Sequence, residues 1–260
     1  MPPHGQGGGV RYVPVTCGEA HPYRIGCYSG EVQAPEDGKP IDAAEGEVVS
    51  GVFSVLAAIE CGPVGYTSAE DQARVRRRLE AGEQGAVEQA FWTGLDFEGE
   101  SLEILDLAAN AEDVAASLDS DTIMGTVAAL EDYAYRQQGY GYVAYIHAPA
   151  WVANYAAAEN LIIPDGDPTR AGRMLTPYGS VWVFGGGYPG TGGDTPPPEG
   201  GAHMHITGHT TVWRSSDVAT YPVDQVMDRT TNQRLLVAER EYAVAYDCFN
   251  GRATFDPLGS

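Results

Sequence analysis

Lysine is almost missing. Lys39 is the only one, and 15 basic residues face 36 acidic ones, for a formal net charge of −21. A surface so short of positive charge repels phosphate backbones, which argues against sequence-specific or sequence-independent nucleic-acid binding. Long apolar runs are missing too. No stretch approaches the roughly 18–20 uninterrupted apolar residues that a membrane helix needs. Met1 to Val10 is Pro/Gly-rich, without the apolar run of a signal peptide. The expectation is a soluble chain made in the cytoplasm, with no membrane partner. Cysteine is sparse: Cys17, Cys27, Cys61 and Cys248 include no Cys-x-x-Cys pair, so buried thiols are expected rather than disulfides or zinc ligands.

Catalytic signatures are equally thin. No Gly-x-Ser-x-Gly elbow occurs, and nothing sets Cys248 apart as a nucleophile. Gly185-Gly186-Gly187-Tyr188-Pro189-Gly190 formally satisfies G-x-G-x-x-G. Pro189, Gly192, Gly193 and Pro196 to Pro198 deny it the helix N-terminus that a pyrophosphate needs, so a flexible loop is expected. His203, His205 and His209 are the sharpest metal candidates. On a strand His203 and His205 share one face, because side chains repeat every two residues. Asp217 lies too far along to join them, and His147 converges only if the fold brings it there. Surface or interface imidazoles are the simpler reading. Asp165 and Asp167 flank Gly166 between two prolines, which is turn chemistry before it is a calcium pair. No catalytic residue, metal or cofactor is assigned.

What is present suits a sizeable core: 43% of the 260 residues are hydrophobic, enough for one elaborate domain or two small lobes. Residues 1–20 read as a polar arm. A strand at Tyr23–Tyr28, a turn-rich acidic loop at Gln33–Gly46 and a returning strand at Val48–Ile59 suggest a two-stranded excursion that asks for a neighbouring molecule. Thr67-Ser68-Ala69-Glu70 fits a capping box, opening a helix to about Trp92 in which Gly82 and Gly85 allow a bend. On that helix Arg74, Arg76, Arg77 and Arg78 alternate with Glu70, Asp71, Glu80 and Glu83, a solvated or interface-forming face.

Residues 94–110 are irregular and acidic. A second helical region spans about Glu112–Gln138, broken near Ser120-Asp121, with Ile123, Val127, Leu130 and Ala134 on one stripe. A strand at Tyr142–His147 leads to a short helix with Pro149 as its first residue and Trp151, Val152, Tyr155 and Ala156 along one side. Met174–Gly179 runs into a strand at Val181–Phe184. A loop at Gly185–Gly201 precedes two final strands, Met204–Arg214 and Leu235–Cys248.

The order of these elements resembles the HK97-fold major capsid proteins of tailed bacteriophages, more narrowly those of phages infecting actinobacteria. The wording that carries the resemblance lies in Asp121–Gln138, Tyr142–Trp151, Arg173–Val183, Gly186–Gly190, Thr207-Gly208, Thr211–Ser215 and Ala238–Tyr242. The resemblance implies an α+β fold in five parts. They are an N-terminal arm (1–22), an extended β-hairpin loop (23–62), a peripheral lobe with a long spine helix (63–118), an α/β axial lobe (119–233) and a C-terminal strand returning to the peripheral lobe (234–260). It implies a non-enzymatic homo-oligomer, with hexamers and pentamers closing a shell around phage DNA, and portal, scaffolding or decoration proteins as further partners. For such a shell, acidity keeps the wall from sticking to its contents. In some relatives a loop lysine bonds an asparagine of a neighbour, which nominates Lys39 with Asn232 or Asn250; a lone lysine in a Pro/Gly turn is more simply solubilising. Two alternatives stay open, an encapsulin-like nanocompartment shell and a small metal-dependent β-barrel enzyme using His203 and His205.

Overall fold

Strand β1 (Val10–Tyr12) pairs antiparallel with β2 (Val48–Ser50), bringing Tyr12 opposite Val48. The computed structural model describes residues 10–12, 48–61, 67–114, 122–138, 143–193, 196–222, 234–247 and 249–258. The strand expected at Tyr23–Tyr28, the Gln33–Gly46 loop with Lys39, and Cys17, Cys27, Cys248 and Asn232 lie outside the described residues. Strand β3 (Phe53–Cys61) follows the period of two at its start, with Phe53 and Val55 buried and Ser54 and Leu56 exposed.

Helix α1 (Ser68–Thr93) has 26 residues, which makes it about 39 Å long at the usual rise. It starts as its sequence dictates. The Glu70 amide donates to Thr67 Oγ1 at 3.3 Å while Glu70 Oε2 accepts from the Thr67 amide at 2.7 Å. Replacing Thr67 by Ala is therefore expected to lower stability by about 1 kcal/mol, read as a shifted urea midpoint; an unmoved midpoint would remove the cap from the account. Asp71, Val75 and Leu79 face inward one turn apart. The helix runs unbroken through Gly82 and Gly85 to a left-handed Gly94. The backbone of Gly85 is approached closely by Gly187, where a Cβ would lie 2.1 Å from the Gly85 carbonyl oxygen, whereas a Cβ on Gly85 itself would meet nothing within 4 Å.

Glu112–Asp113, expected at the start of a helix, form a short strand β4 parallel to the last strand of the chain. Arg252 donates from Nε to Asp113 Oδ1 at 2.7 Å and the Tyr133 hydroxyl donates to Glu112 at 3.0 Å, which holds this acidic pair at a sheet edge. Helix α2 (Ile123–Gln138) buries Ile123, Val127, Leu130 and Ala134, the stripe expected of it. Pro149 does not open a helix; it ends strand β5 (Tyr145–Pro149), and α3 (Val152–Ala158) starts three residues later. Proline is tolerated there because its β-partner, Gly185, gives its carbonyl to the Ala150 amide.

A hairpin of two-residue strands, β6 (Ile163–Pro164) and β7 (Met174–Leu175), encloses a 3-10 turn at Pro168–Arg170 and leads to β8 (Val181–Gly185). The expected single strand Met204–Arg214 is two strands, β9 (Ala202–Thr207) and β10 (Thr210–Arg214), divided at Gly208-His209 and placed in different sheets. Beyond the expected long strand, β12 (Arg234–Tyr246), the chain adds β11 (Ala219–Pro222) before it and β13 (Asn250–Phe255) after it.

Two sheets organise two cores. The larger sheet runs β4-β13-β9-β5-β8-β7-β6, and α2 and α3 cover one face of it over Ile146, Val152, Met204, Ile206 and Phe255. In the other, β12 pairs with β3 along one edge and with β11 and then β10 along the opposite edge. Helix α1 closes that core over Val75, Leu79, Trp92, Leu236 and Val244.

Candidate functional site: the buried seam and the exposed faces

Along β9, Met204 and Ile206 point to α2 and α3, so the period of two sends His203, His205 and Thr207 to the opposite face. The fold brings His147 there as well. His147 and His205 are directly opposed across the antiparallel β5–β9 pair and so share a face. That face docks on the end of α1. Phe91 meets the His147 ring edge-on at 5.6 Å, and Trp92 meets the His205 ring edge-on at 4.7 Å.

Each imidazole is held by neutral polar partners. His147 Nδ1 lies 3.1 Å from the Tyr188 hydroxyl and Nε2 lies 3.0 Å from Thr207 Oγ1. Thr207 donates its own proton to the Gly208 carbonyl at 3.0 Å. Its oxygen therefore accepts from Nε2–H of His147, and Tyr188 donates to Nδ1. His205 Nδ1 pairs with Asn250 Oδ1 and His203 Nδ1 with Thr254 Oγ1, both at 3.1 Å. Burial pushes the His147 pKa down to about 3, and burial does the same to His205, to about 3, against the opposing Asn250 hydrogen bond. Burial likewise pushes the Tyr246 hydroxyl up to about 12. Among the described residues no group of three or more His, Cys, Asp or Glu side chains is placed to hold a metal ion. His209, the third candidate, is exposed beside Thr211. The chemistry of this seam is that of a joint: rings and hydrogen bonds fasten one core to the other.

Asn250, nominated as a cross-link acceptor, is buried, and its amide nitrogen donates to the Leu107 carbonyl at 2.7 Å. Asp165 and Asp167 act as turn residues: Asp165 accepts from the Asp167 amide, and Asp167 accepts from the amide and hydroxyl of Thr169.

Helix α1 has a cleft on each side. One, of about 650 Å³, separates it from β8, β10 and β12, with Glu80, Glu83, Glu88, Val87 and Val212 in its walls. Two of its carboxylates are anchors. Glu83 accepts from Arg240 at 2.7 Å and from the Tyr242 hydroxyl at 2.8 Å, and Glu88 accepts from the Gly187 amide at 2.8 Å. The other cleft, of about 400 Å³, lies between α1 and β3. Large apolar side chains stand in solvent on several faces, among them Leu56, Phe97, Tyr178, Val212 and Leu258. Sequence reading missed Phe97 and the Glu83–Arg240–Tyr242 linkage. A phenylalanine inside an acidic turn was the available signal for the first; the second joins residues more than 150 positions apart and left no local trace.

No known family model matches the chain, and no curated protein matches it in sequence. Solved structures do match in three dimensions. One from Gordonia phage Cozz superposes with a TM-score of 0.55 at 13% identity, over 98% of this chain and 80% of that one. The capsid of Myoviridae phage XM1 gives 0.50 at 13% identity, over 98% and 88% of the two chains. The capsid of an empty GTA particle gives 0.50 at 12%, over 87% and 81%. These superpositions establish the fold, and at such low identity the fold alone: it is the HK97-like α+β capsid architecture.

Proposed function

We propose that this chain is a major capsid protein of a tailed bacteriophage, a structural virion protein without enzymatic activity that assembles from copies of itself. In this reading hexamers and pentamers close an icosahedral shell around phage DNA, and portal, scaffolding or decoration proteins join it. The core built on α1 corresponds to the peripheral lobe and the core of the larger sheet to the axial lobe, residues 1–22 to the arm and 23–62 to the extended loop. The observation that carries the reading is the likeness to the XM1 capsid across 98% of the chain.

Two properties of the chain support it. Its net charge of −21 keeps a wall from binding the nucleic acid it encloses. Its large exposed apolar side chains lie on several separate faces, as a subunit with several non-overlapping contacts requires. Purified protein is expected to sediment as rings or shells, visible by negative stain. A compact monomer under every assembly condition would overturn the proposal.

A further inference from the structure

We propose that the trough between α1 and β3 receives the Asp96–Glu100 turn of a second copy of this chain, with Phe97 as the inserted side chain. The inference rests on the self-assembly reading and assigns one of its contacts.

The trough measures about 400 Å³, and Val55, Leu56, Ala58, Leu79, Gly82 and Ala86 line it, with Arg78 at its lip. It exists because Gly82 and Ala86, one helical turn apart, leave α1 without bulk where it passes β3. A Cβ added at Gly82 would meet nothing within 4 Å. The one acidic wall residue, Glu83, is already matched by Arg240 and Arg214. Arg78 is the arginine that stands at the trough, in a strongly acidic chain, whereas Arg74 pairs with Asp71 and Arg76 donates to Thr220 of β11.

The complementary element is on the same molecule. Phe97 is 85% exposed and is flanked by Asp96, Glu98 and Glu100. The turn is built before it binds: Asp96 Oδ1 accepts from the amides of Glu98 and Glu100, both at 2.9 Å, and the Asp96 amide donates to the Glu100 carbonyl at 2.9 Å. Gly99, at φ +88, supplies the left-handed corner. A preformed turn presents an aromatic ring with little ordering cost, and an apolar anchor flanked by acids fits a largely apolar slot edged by Arg78. Copies that otherwise repel one another gain a specific attraction at this contact.

A single copy does not satisfy itself. Gly82 and Gly94 are twelve positions apart on one helix, about 18 Å at the α-helical rise, and Phe97 stands in solvent beyond Gly94. Each copy thus carries one plug and one socket, a head-to-tail contact that closes into a ring when the rotation allows.

Two variants test this. Phe97→Ser removes the plug, and Ala86→Trp fills the socket; both positions are exposed, and circular dichroism and thermal melting should match the wild type. Each variant alone is expected to lose the rings and shells and sediment as a monomer. Mixed, they are expected to form 1:1 dimers and stop, because Phe97 of the Ala86→Trp copy enters the open trough of the Phe97→Ser copy. Variants that assemble like the wild type, or a mixture that stays monomeric, would overturn the contact while leaving shell formation standing. A wild type that never assembles would overturn the shell reading and this contact with it.

Discussion

Replacing Trp92 by Ala, the bulkiest fully buried side chain among the described residues, is expected to cost about 3–5 kcal/mol. Trp92 is fully buried in the last turn of α1, where the two cores meet. Its ring packs against Tyr188 at 5.0 Å and edge-on against His205 at 4.7 Å, and its Nε1 donates to the Thr191 carbonyl at 2.6 Å. Alanine leaves a cavity between the cores and strands that carbonyl at once. Native domains are stable by about 5–15 kcal/mol in total, so the variant should melt about 6–20 °C lower or fail to accumulate. Trp92→Phe keeps an aromatic ring but loses the hydrogen bond and part of the indole volume, and its cost should be smaller, about 2 kcal/mol. Equilibrium urea unfolding of both variants decides the matter. A Trp92→Ala loss under about 1 kcal/mol would mean that the seam does not carry the stability assigned to it.

Acid should undo the same seam. In the folded chain His147 and His205 stay neutral down to about pH 3 because burial disfavours the cation, whereas an unfolded imidazole takes its proton near pH 6.5. Below about 6.5 the unfolded state binds more protons, so stability falls with pH by about 1.4 kcal/mol per unit for each histidine, until the folded forms titrate as well. Above that range these two groups contribute no pH dependence. Glu131 works in the opposite sense. Burial raises its pKa against the Thr176 and Ser180 hydrogen bonds, so its folded form gains a proton first and offsets part of the loss as pH falls. Glu70, lowered by accepting from Thr67, adds to the loss at lower pH. Urea midpoints at pH 7.5, 6.5, 5.5 and 4.5 should therefore be flat between the first two and then drop steeply. His147→Asn should be less stable at pH 7.5 and show a shallower drop. A flat profile from 7.5 to 4.5 would rule out two neutral imidazoles at the joint.

Local devices were legible in the sequence, and long-range pairings were not. The Thr67 cap and the Ile123–Ala134 stripe are each decided within a few residues, and each stands where the reading put it. Glu112–Asp113 is too short to show a period, and it is a strand only because Arg252 and Tyr133 hold it against the sheet. The passage from one sheet to the other at Gly208-His209 looked like the middle of a strand, since the change of sheet is set by pairing with β5 and β13 on one side and with β12 on the other. The His203/His205 pair was placed correctly on one face, but what that face meets is set by Phe91 and Trp92, more than 100 positions away. Phe97 and the trough share this limit. The sequence displays an exposed ring among acids, while the slot that fits it appears only once α1 lies along β3.

Strand β12 is hydrogen-bonded along both margins, to β3 from Phe53 to Cys61 and to β11 and β10 on the other side. The bonds of an antiparallel ladder run crosswise to the chain. A pull directed along β12 therefore strains every rung together and must shear them all before the strand slides, whereas a pull across the sheet would unzip rungs one after another. Tension that an adjoining molecule exerted lengthwise on this strand would meet a stiff direction, and yielding would begin sooner at the two-residue strands of the larger sheet.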